Sequence, residues 1–489
     1  MLDIAFTAGP DEPIIGAAPG VVAFPVSKPE GSASAAVVAT SLPDDLRAEA
    51  EAFLAQVAHS GKAGEVHILH RPLQETSKVL FVGIGEGDEA GWRSAGAAVT
   101  RSSVKETSVT IEITSAREPA AAVRGFAEGA WLAEYKFRLV EPGPDDGPKL
   151  TGLRLHAPGV DQRAIDTARI VATHTRFARD LTNMPSGVKT PEWFVDQVTE
   201  RGGRIEIKVW DPAELAADGF NGILAVGSGS SRGPRLLRLD YAPEGATRHV
   251  VLVGKGITFD TGGIDIKPAD AMALMRKDMG GGAAVVGATL AAAELELPVR
   301  VTALVALAEN LVSGTSWRQG DVIKHYGGLT TEVRSTDAEG RVVLGDALAY
   351  AVETYDPDYL IDLATLTGAS RVALGKRIAA LFSEDDALVK ALSEAAKAAG
   401  ESVWQLPLPG DYRAAVVSEI ADLYNSTEVS AAGTITAALY LREFTGEQHD
   451  RWAHIDMSSP SWADSANGEL AKGATGWGVR TLVRWFESL

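Results

Sequence analysis

Two hydrophobic patterns recur along the chain. In the first third, residues 79–85, VLFVGIG, make an apolar run that ends in a glycine turn, and residues 108–114, SVTIEIT, alternate with period two. Both predict strands. Residues 142–160, PGPDDGPKLTGLRLHAPGV, are rich in proline and glycine around one short strand, the composition of a domain boundary. A helix is predicted from residue 161 to about residue 182. Beyond it, HVVLVG (249–254), VRVTALVAL (299–307) and YLIDLATL (359–366) are nearly continuous β-branched and apolar runs, as in central strands covered on both faces. AAVVGATLAAAEL (283–295) and VVLGDALAYAVETY (342–355) carry helical spacing between them. The expected fold is α/β with two domains. A smaller N-terminal α/β domain spans 1–160 and a linker helix 161–182. A larger domain, 183–489, has a mainly parallel central sheet with helices on both faces. In such sheets ligands bind beyond the carboxyl ends of the strands.

Composition narrows the class. The 489 residues are 45% hydrophobic and 23% charged, with 46 basic against 65 acidic residues and a net charge of −19, which argues against nucleic acid or an anionic membrane as partner. No uninterrupted apolar run reaches the roughly 18 residues of a membrane span, and MLDIAFTAGPDEP has no basic segment of the kind that opens a signal peptide. A cytoplasmic location is expected. There is no cysteine, so a metal must be held by oxygen or nitrogen.

The polar residues that interrupt the apolar runs fall into three clusters. STDAEGR (335–341) follows a predicted strand; if extended, it would project Asp337, Glu339 and Arg341 to one side, with Gly340 turning the backbone into the helix. Alone, it reads as a solvated loop with a surface ion pair. GKGITFDTGGIDIKP, directly after HVVLVG, places Lys255, Asp260 and Lys267 in what reads as a glycine-rich loop, yet it fits neither phosphate-binding pattern, GxxxxGK[ST] or GxGxxG. MALMRKDMGGG puts Asp278 just before a helix, where an acid alone would be a cap. Together the clusters bring four carboxylates to the strand ends. Close like charges drive each other's pKa upward, and two divalent metals would relieve them and activate water for hydrolysis. None of the nine histidines falls in these clusters and no HExxH occurs.

GKGITFDTGGIDIKP, RKDMGGGAA, STDAEGRVVLGDAL, IDLATLTGA and KGATGWGVR, in this order from about RDLTNMPSG (179–187) to the C-terminus, resemble the leucyl (cytosol) aminopeptidases, a family of two-metal peptidases. The first domain matches that family only in length and α/β character. The resemblance implies that Asp260 and Glu339 bridge two metals, that Asp337 completes one site, and that Lys255, as a neutral amine, completes the other with Asp278. It implies Lys267 and Arg341 as catalytic residues, Lys267 polarising the scissile carbonyl and Arg341 holding a bicarbonate that serves as general base. Met275, Thr365, Leu366 and Gly368 would line the first side-chain pocket; Met272 and Met279 read as core. Manganese or zinc, with magnesium a third choice, would fill the sites. Peptides with a free N-terminus would be the substrates and a homohexamer the assembly. A narrow dipeptidase, such as one acting on cysteinylglycine, and a catalytically silent scaffold are the rival readings. Three positions depart from the family pattern: Ser335, Thr261 and Asp265. Asp265 stands where many members carry a small neutral residue, and reads as solvated and silent, with a shift of Lys267, two residues on, or recognition of basic substrates as its alternative roles.

Overall fold

The computed structural model describes residues 1–7, 21–28, 34–114, 116–140, 143, 149–427 and 432–489. The chain separates into two compact units, one made of Met1–Thr173 with Ser465–Lys472 and the other of His174–Asp464 with Gly473–Leu489. The helix expected at 161–182 spans Arg163–Asn183, so the division falls inside it.

In the first unit the strands lie in the order Asp3–Phe6, Gly152–His156, Ser108–Glu112, Val21–Ser27, Lys78–Gly83, Val66–His70, all parallel except the last pair, while Ala36–Val37 adds antiparallel to Val21–Ser27. The period-two pattern sorts the side chains. Val22, Phe24, Val26, Val79 and Phe81 pack on Leu46, Ala50 and Leu54 of the Asp44–Gln56 helix. Ala23, Leu80, Val82, Val109 and Ile111 face Trp92 and Phe126 of the Glu89–Ser102 and Pro119–Glu134 helices. The strand expected within 142–160 is thus Gly152–His156, an inner member of this sheet. Positions 142 and 144–148 of that stretch lie outside the described residues.

The second unit is built on an eight-stranded sheet in the order Ser402–Gln405, Ile378–Phe382, Trp452–Asp456, Tyr359–Ala364, His249–Asp260, Arg300–Asn310, Arg235–Tyr241, Glu206–Trp210. The four central strands, Trp452–Asp456 through Arg300–Asn310, are mutually parallel, and antiparallel pairing enters on either side of them. Helices cover both faces. Gly254 faces Gly282 and Val285 of the Gly280–Glu294 helix, while the next residue, Lys255, reaches Gly340 of the Glu339–Thr354 helix on the other side. The Gly280–Glu294 helix is buried from Gly280 to Ala293, which its uniformly small and apolar composition permits. Among the described residues no helix is long and apolar enough to cross a membrane.

Candidate active site and metal centre

The site grows from the carboxyl ends of the central strands. Lys255 and Asp260 belong to one strand, His249–Asp260, and not to a glycine-rich loop: the parallel pairing with Arg300–Asn310 continues through GKGITFD. Two residues five apart on a regular strand would point to opposite faces. A register shift between Ile257 and Phe259 leaves Thr258 unpaired, and this bulge turns Asp260 to the side on which Lys255 lies.

The STDAEGR segment also departs from the extended form expected for it. Glu339 is the first residue of a helix, Gly340 and Arg341 follow inside it, and only Asp337 stands in the preceding loop. Gly340 therefore serves packing and does not make a turn: a Cβ there would lie 2.5 Å from Cε and 2.6 Å from Nζ of Lys255. Among the described residues Arg341 pairs with neither acid of its motif. Asp278 ends the short Met275–Lys277 turn and caps no helix; Met279 stands at the cap of the next helix with no side-chain bond.

These elements converge on one cluster. Lys255 Nζ lies 2.8 Å from Asp278 Oδ2 and 2.7 Å from Glu339 Oε1, all three side chains being nearly inaccessible. Lys267 Nζ lies 2.8 Å from Asp260 Oδ2 and also pairs with Asp337. Asp260, Asp337 and Glu339 can each bring one oxygen within 4.8 Å of the others. Asp337 is the open side, its side chain 39% exposed. Of the expected pocket residues, Thr365 is bound into the cluster itself: its hydroxyl donates to Asp278 Oδ1 (2.8 Å) and its carbonyl accepts from Lys255 Nζ (3.2 Å). Leu366 is half-buried just beyond it, and Gly368 opens the Gly368–Leu374 helix with open space where a Cβ would stand. Met275 is half-buried, and its carbonyl accepts from the Asp278 amide (3.1 Å). Met279 is fully buried and Met272 half-buried.

The electrostatics follow from four carboxylates facing two ammonium groups in a dry site. Burial, then repulsion from Glu339 and Asp278, pushes Asp260 up to about 8. Asp278 is raised to about 6, chiefly by burial. Asp337 is raised by burial and by Glu339. For Glu339 burial acts the same way, but Lys255 and Lys267 outweigh it and its carboxyl falls below the ordinary value. Burial disfavours both ammonium ions, yet the surrounding carboxylates hold Lys255 and Lys267 above the usual lysine range. A cluster in which three of the four acids are driven toward protonation while the amines stay charged is short of positive charge. Oxygen ligands at this spacing suit divalent cations.

Other residues complete the frame. Asn310, the last residue of its strand, donates through Nδ2 to Asp260 Oδ1 (2.9 Å) and to the Thr336 carbonyl (2.8 Å), and Trp317 Nε1 donates to its Oδ1 (3.1 Å). Asp456, also a strand end, accepts from the amides of Leu366 (3.2 Å), Thr367 (3.1 Å) and Ser458 (3.1 Å) and from the hydroxyls of Thr367 (2.6 Å) and Thr434 (3.2 Å), which fixes the loop after Tyr359–Ala364. The sequence carries one sign of both: an amide or carboxylate closing an otherwise apolar strand run. Arg341 is buried, its Nε has no hydrogen-bond partner among the described residues, and burial lowers its pKa.

Comparison with known proteins decides the lineage. Residues 176–483 match the model of the cytosol aminopeptidase family catalytic domain, and residues 21–140 match that family's N-terminal domain. The chain belongs to the cytosol aminopeptidase family. Among the family's members, a probable cytosol aminopeptidase of Clavibacter michiganensis subsp. michiganensis (strain NCPPB 382) is 41% identical over 464 residues, covering 90% of this chain and 91% of the relative. One from Rhodococcus opacus (strain B4) is 43% identical over 450 residues, covering 89% and 88%. Solved structures agree. The bottromycin maturation enzyme BotP in complex with Mn superposes with a TM-score of 0.85 at 34% identity, covering 96% of this chain and 99% of that one. A mutant of tomato leucine aminopeptidase gives 0.85 at 29%, covering 100% and 97%. Membership makes the protein a metal-dependent aminopeptidase that acts on peptides.

Proposed function

We propose that the protein is a dinuclear leucyl aminopeptidase that releases leucine or another apolar residue from the N-terminus of peptides. The observation that carries this reading is the convergence of Asp260, Asp278, Asp337 and Glu339 on Lys255 and Lys267. Asp260 and Glu339, at its centre, would hold two cations between them; Asp337 would complete one site and Asp278 the other, together with Lys255, whose ammonium would have to lose its proton to the cations' charge before it could offer a lone pair. Two divalent ions, manganese or zinc, supply Lewis-acid activation of water and of the substrate carbonyl.

The chain's own residues supply the rest. Lys267, its side chain only 14% exposed, keeps its charge, and so suits an oxyanion on the scissile carbonyl. Arg341, buried and with no partner for its Nε among the described residues, suits a small planar anion such as bicarbonate, which it would hold in place and which would supply a general base there. Asp456 holds the Leu366 and Thr367 amides in place, and with them the wall that Met275, Thr365, Leu366 and Gly368 would present to the first side chain. A cytoplasmic homohexamer remains the assembly expected from the family. Trp404 (63% exposed) and Ile420 (70%) are apolar positions that an assembly would cover. The likeness to BotP favours one second reading, a narrow enzyme that matures a particular peptide.

Metal-stripped protein should not hydrolyse leucine-p-nitroanilide until manganese or zinc is returned. Activity in full without added metal, or inactivity toward every N-terminally free peptide after reloading, would contradict the proposal. Turnover confined to one peptide would select the narrow enzyme.

A further inference from the structure

We propose that Asp265 is a positioning residue of this site: its carboxylate locks the segment carrying Asp337 against the loop carrying Lys267 and so sets the width of the cluster. The proposal rests on the two-metal reading and extends it.

Asp265 is half-buried and bonded to the protein through both of its oxygens. Its Oδ2 accepts from the Thr336 amide (2.8 Å) and lies 3.3 Å from the Thr336 hydroxyl, and its Oδ1 accepts from Gln319 Nε2 (2.6 Å). Its own amide donates to Thr336 Oγ1 (2.9 Å). A hydroxyl has a single proton, and the shorter contact, 2.7 Å to the Gly262 carbonyl, takes it. Thr336, wholly buried, is therefore held at its amide by Asp265, at its hydroxyl by Gly262 and Asp265, and at its carbonyl by Asn310, which also holds Asp260. Asp337 is the next residue. The two segments touch directly: a Cβ at Gly262 would lie 2.8 Å from Asp337 Oδ1, and Gly262 has the φ of +88° that this tight loop requires.

This arrangement separates two roles for an acid at this position. Both carboxylate oxygens are turned to protein donors, which orients the group toward Thr336 and Gln319. The flanking side chains are the outward ones, Ile264 at 48% and Ile266 at 59% exposure. A carboxylate meets the two donors, Thr336 and Gln319, with a separate oxygen each, where a hydroxyl side chain has a single oxygen. Without the carboxylate, the segment that carries Asp337, the most exposed acid of the cluster, loses its anchor at the Thr336 amide, and Lys267 loses a fixed partner.

The test is calorimetric titration of metal-stripped protein with Mn²⁺, for the parent, Asp265→Ala, Asp265→Asn and Gln319→Ala. Outer partners of metal ligands typically control affinity by 10–100-fold. We expect Asp265→Ala to weaken one of two binding steps by on the order of 10-fold or more and to leave the other nearly unchanged. Asp265→Asn, which keeps one oxygen for the Thr336 amide, and Gln319→Ala should lose less, which keeps the test valid if the alanine variant folds poorly. At saturating Mn²⁺, kcat for leucine-p-nitroanilide should fall with KM little changed, and the preference between lysyl and leucyl substrates should stay as in the parent. Unchanged affinities in all three variants, an equal loss of both steps together with a lower melting point, or a selective loss of lysyl turnover would each overturn the proposal. A parent protein that does not bind two Mn²⁺ would instead refute the two-metal reading itself.

Discussion

At the residue scale the centre has no spare room around its buried lysine. Gly340 is the position where this can be read most simply, because the atoms an added methyl would meet are the end of the Lys255 side chain and not backbone. Lys255 is held between Asp278 and Glu339, so it cannot swing aside without giving up an ion pair. Gly340→Ala should therefore displace the amine by a fraction of an ångström to an ångström while leaving the helix, which favours alanine, intact. Misplacement on that scale costs on the order of 100-fold in rate. The expected result is a large fall in kcat/KM with a melting temperature close to the parent's; equal activity would show that Lys255 has no fixed role. The acids and lysines of the site were legible because their types are costly at strand ends and need a shared explanation. Thr336 and Asn310 were not, since a threonine or asparagine there is ordinary until its partners are known. The bonds of Asp265 were not legible either, because its donors, Gln319 and Thr336, lie 54 and 71 residues away in sequence.

At the element scale the His249–Asp260 strand does two jobs. Its first half is a buried parallel strand, and its second half, bulged at Thr258, brings Lys255 and Asp260 to one side. Hydrophobic periodicity located the first half. The second was taken for a loop because GKGITFD contains glycines and polar residues, which in this strand serve close helix packing and the site. STDAEGR failed in the opposite sense, as helix where extended chain was expected, since Gly340 lowers helix propensity and only the contact with Lys255 explains it. The start of the same strand gives a pH prediction. Burial, then Arg300, lowers His249 to about 4 from an ordinary 6.5, and its Nε2 lies 2.9 Å from Thr302 Oγ1. Folded protein keeps this ring neutral where the unfolded chain protonates it. The stability it contributes is thus present above 6.5 and lost as pH falls toward 4. His249→Gln should flatten the acid-side decline of the melting temperature between those values; an unchanged slope would contradict the assignment.

At the scale of the whole molecule, the two-domain α/β architecture and the parallel centre of the large sheet were readable from the alternation of apolar runs and helical spacing. The first unit's return segment, Ser465–Lys472, was not, because joining a distant piece of chain leaves no local pattern. There Arg101 donates to the carbonyls of Gly468 (2.8 Å) and Leu470 (2.9 Å), contacts 367 and 369 residues apart in sequence. The sheet's role in chemistry is to gather acids from separate stretches of chain into one buried cluster, a cost in repulsion that only added positive charge removes. Anomalous X-ray scattering from crystals of the manganese-loaded protein tests that most directly. The account predicts two manganese peaks per chain, both within coordination distance of Asp260 and Glu339, with Asp337 on one and Lys255 and Asp278 on the other. A single peak, or peaks away from these five residues, would contradict it.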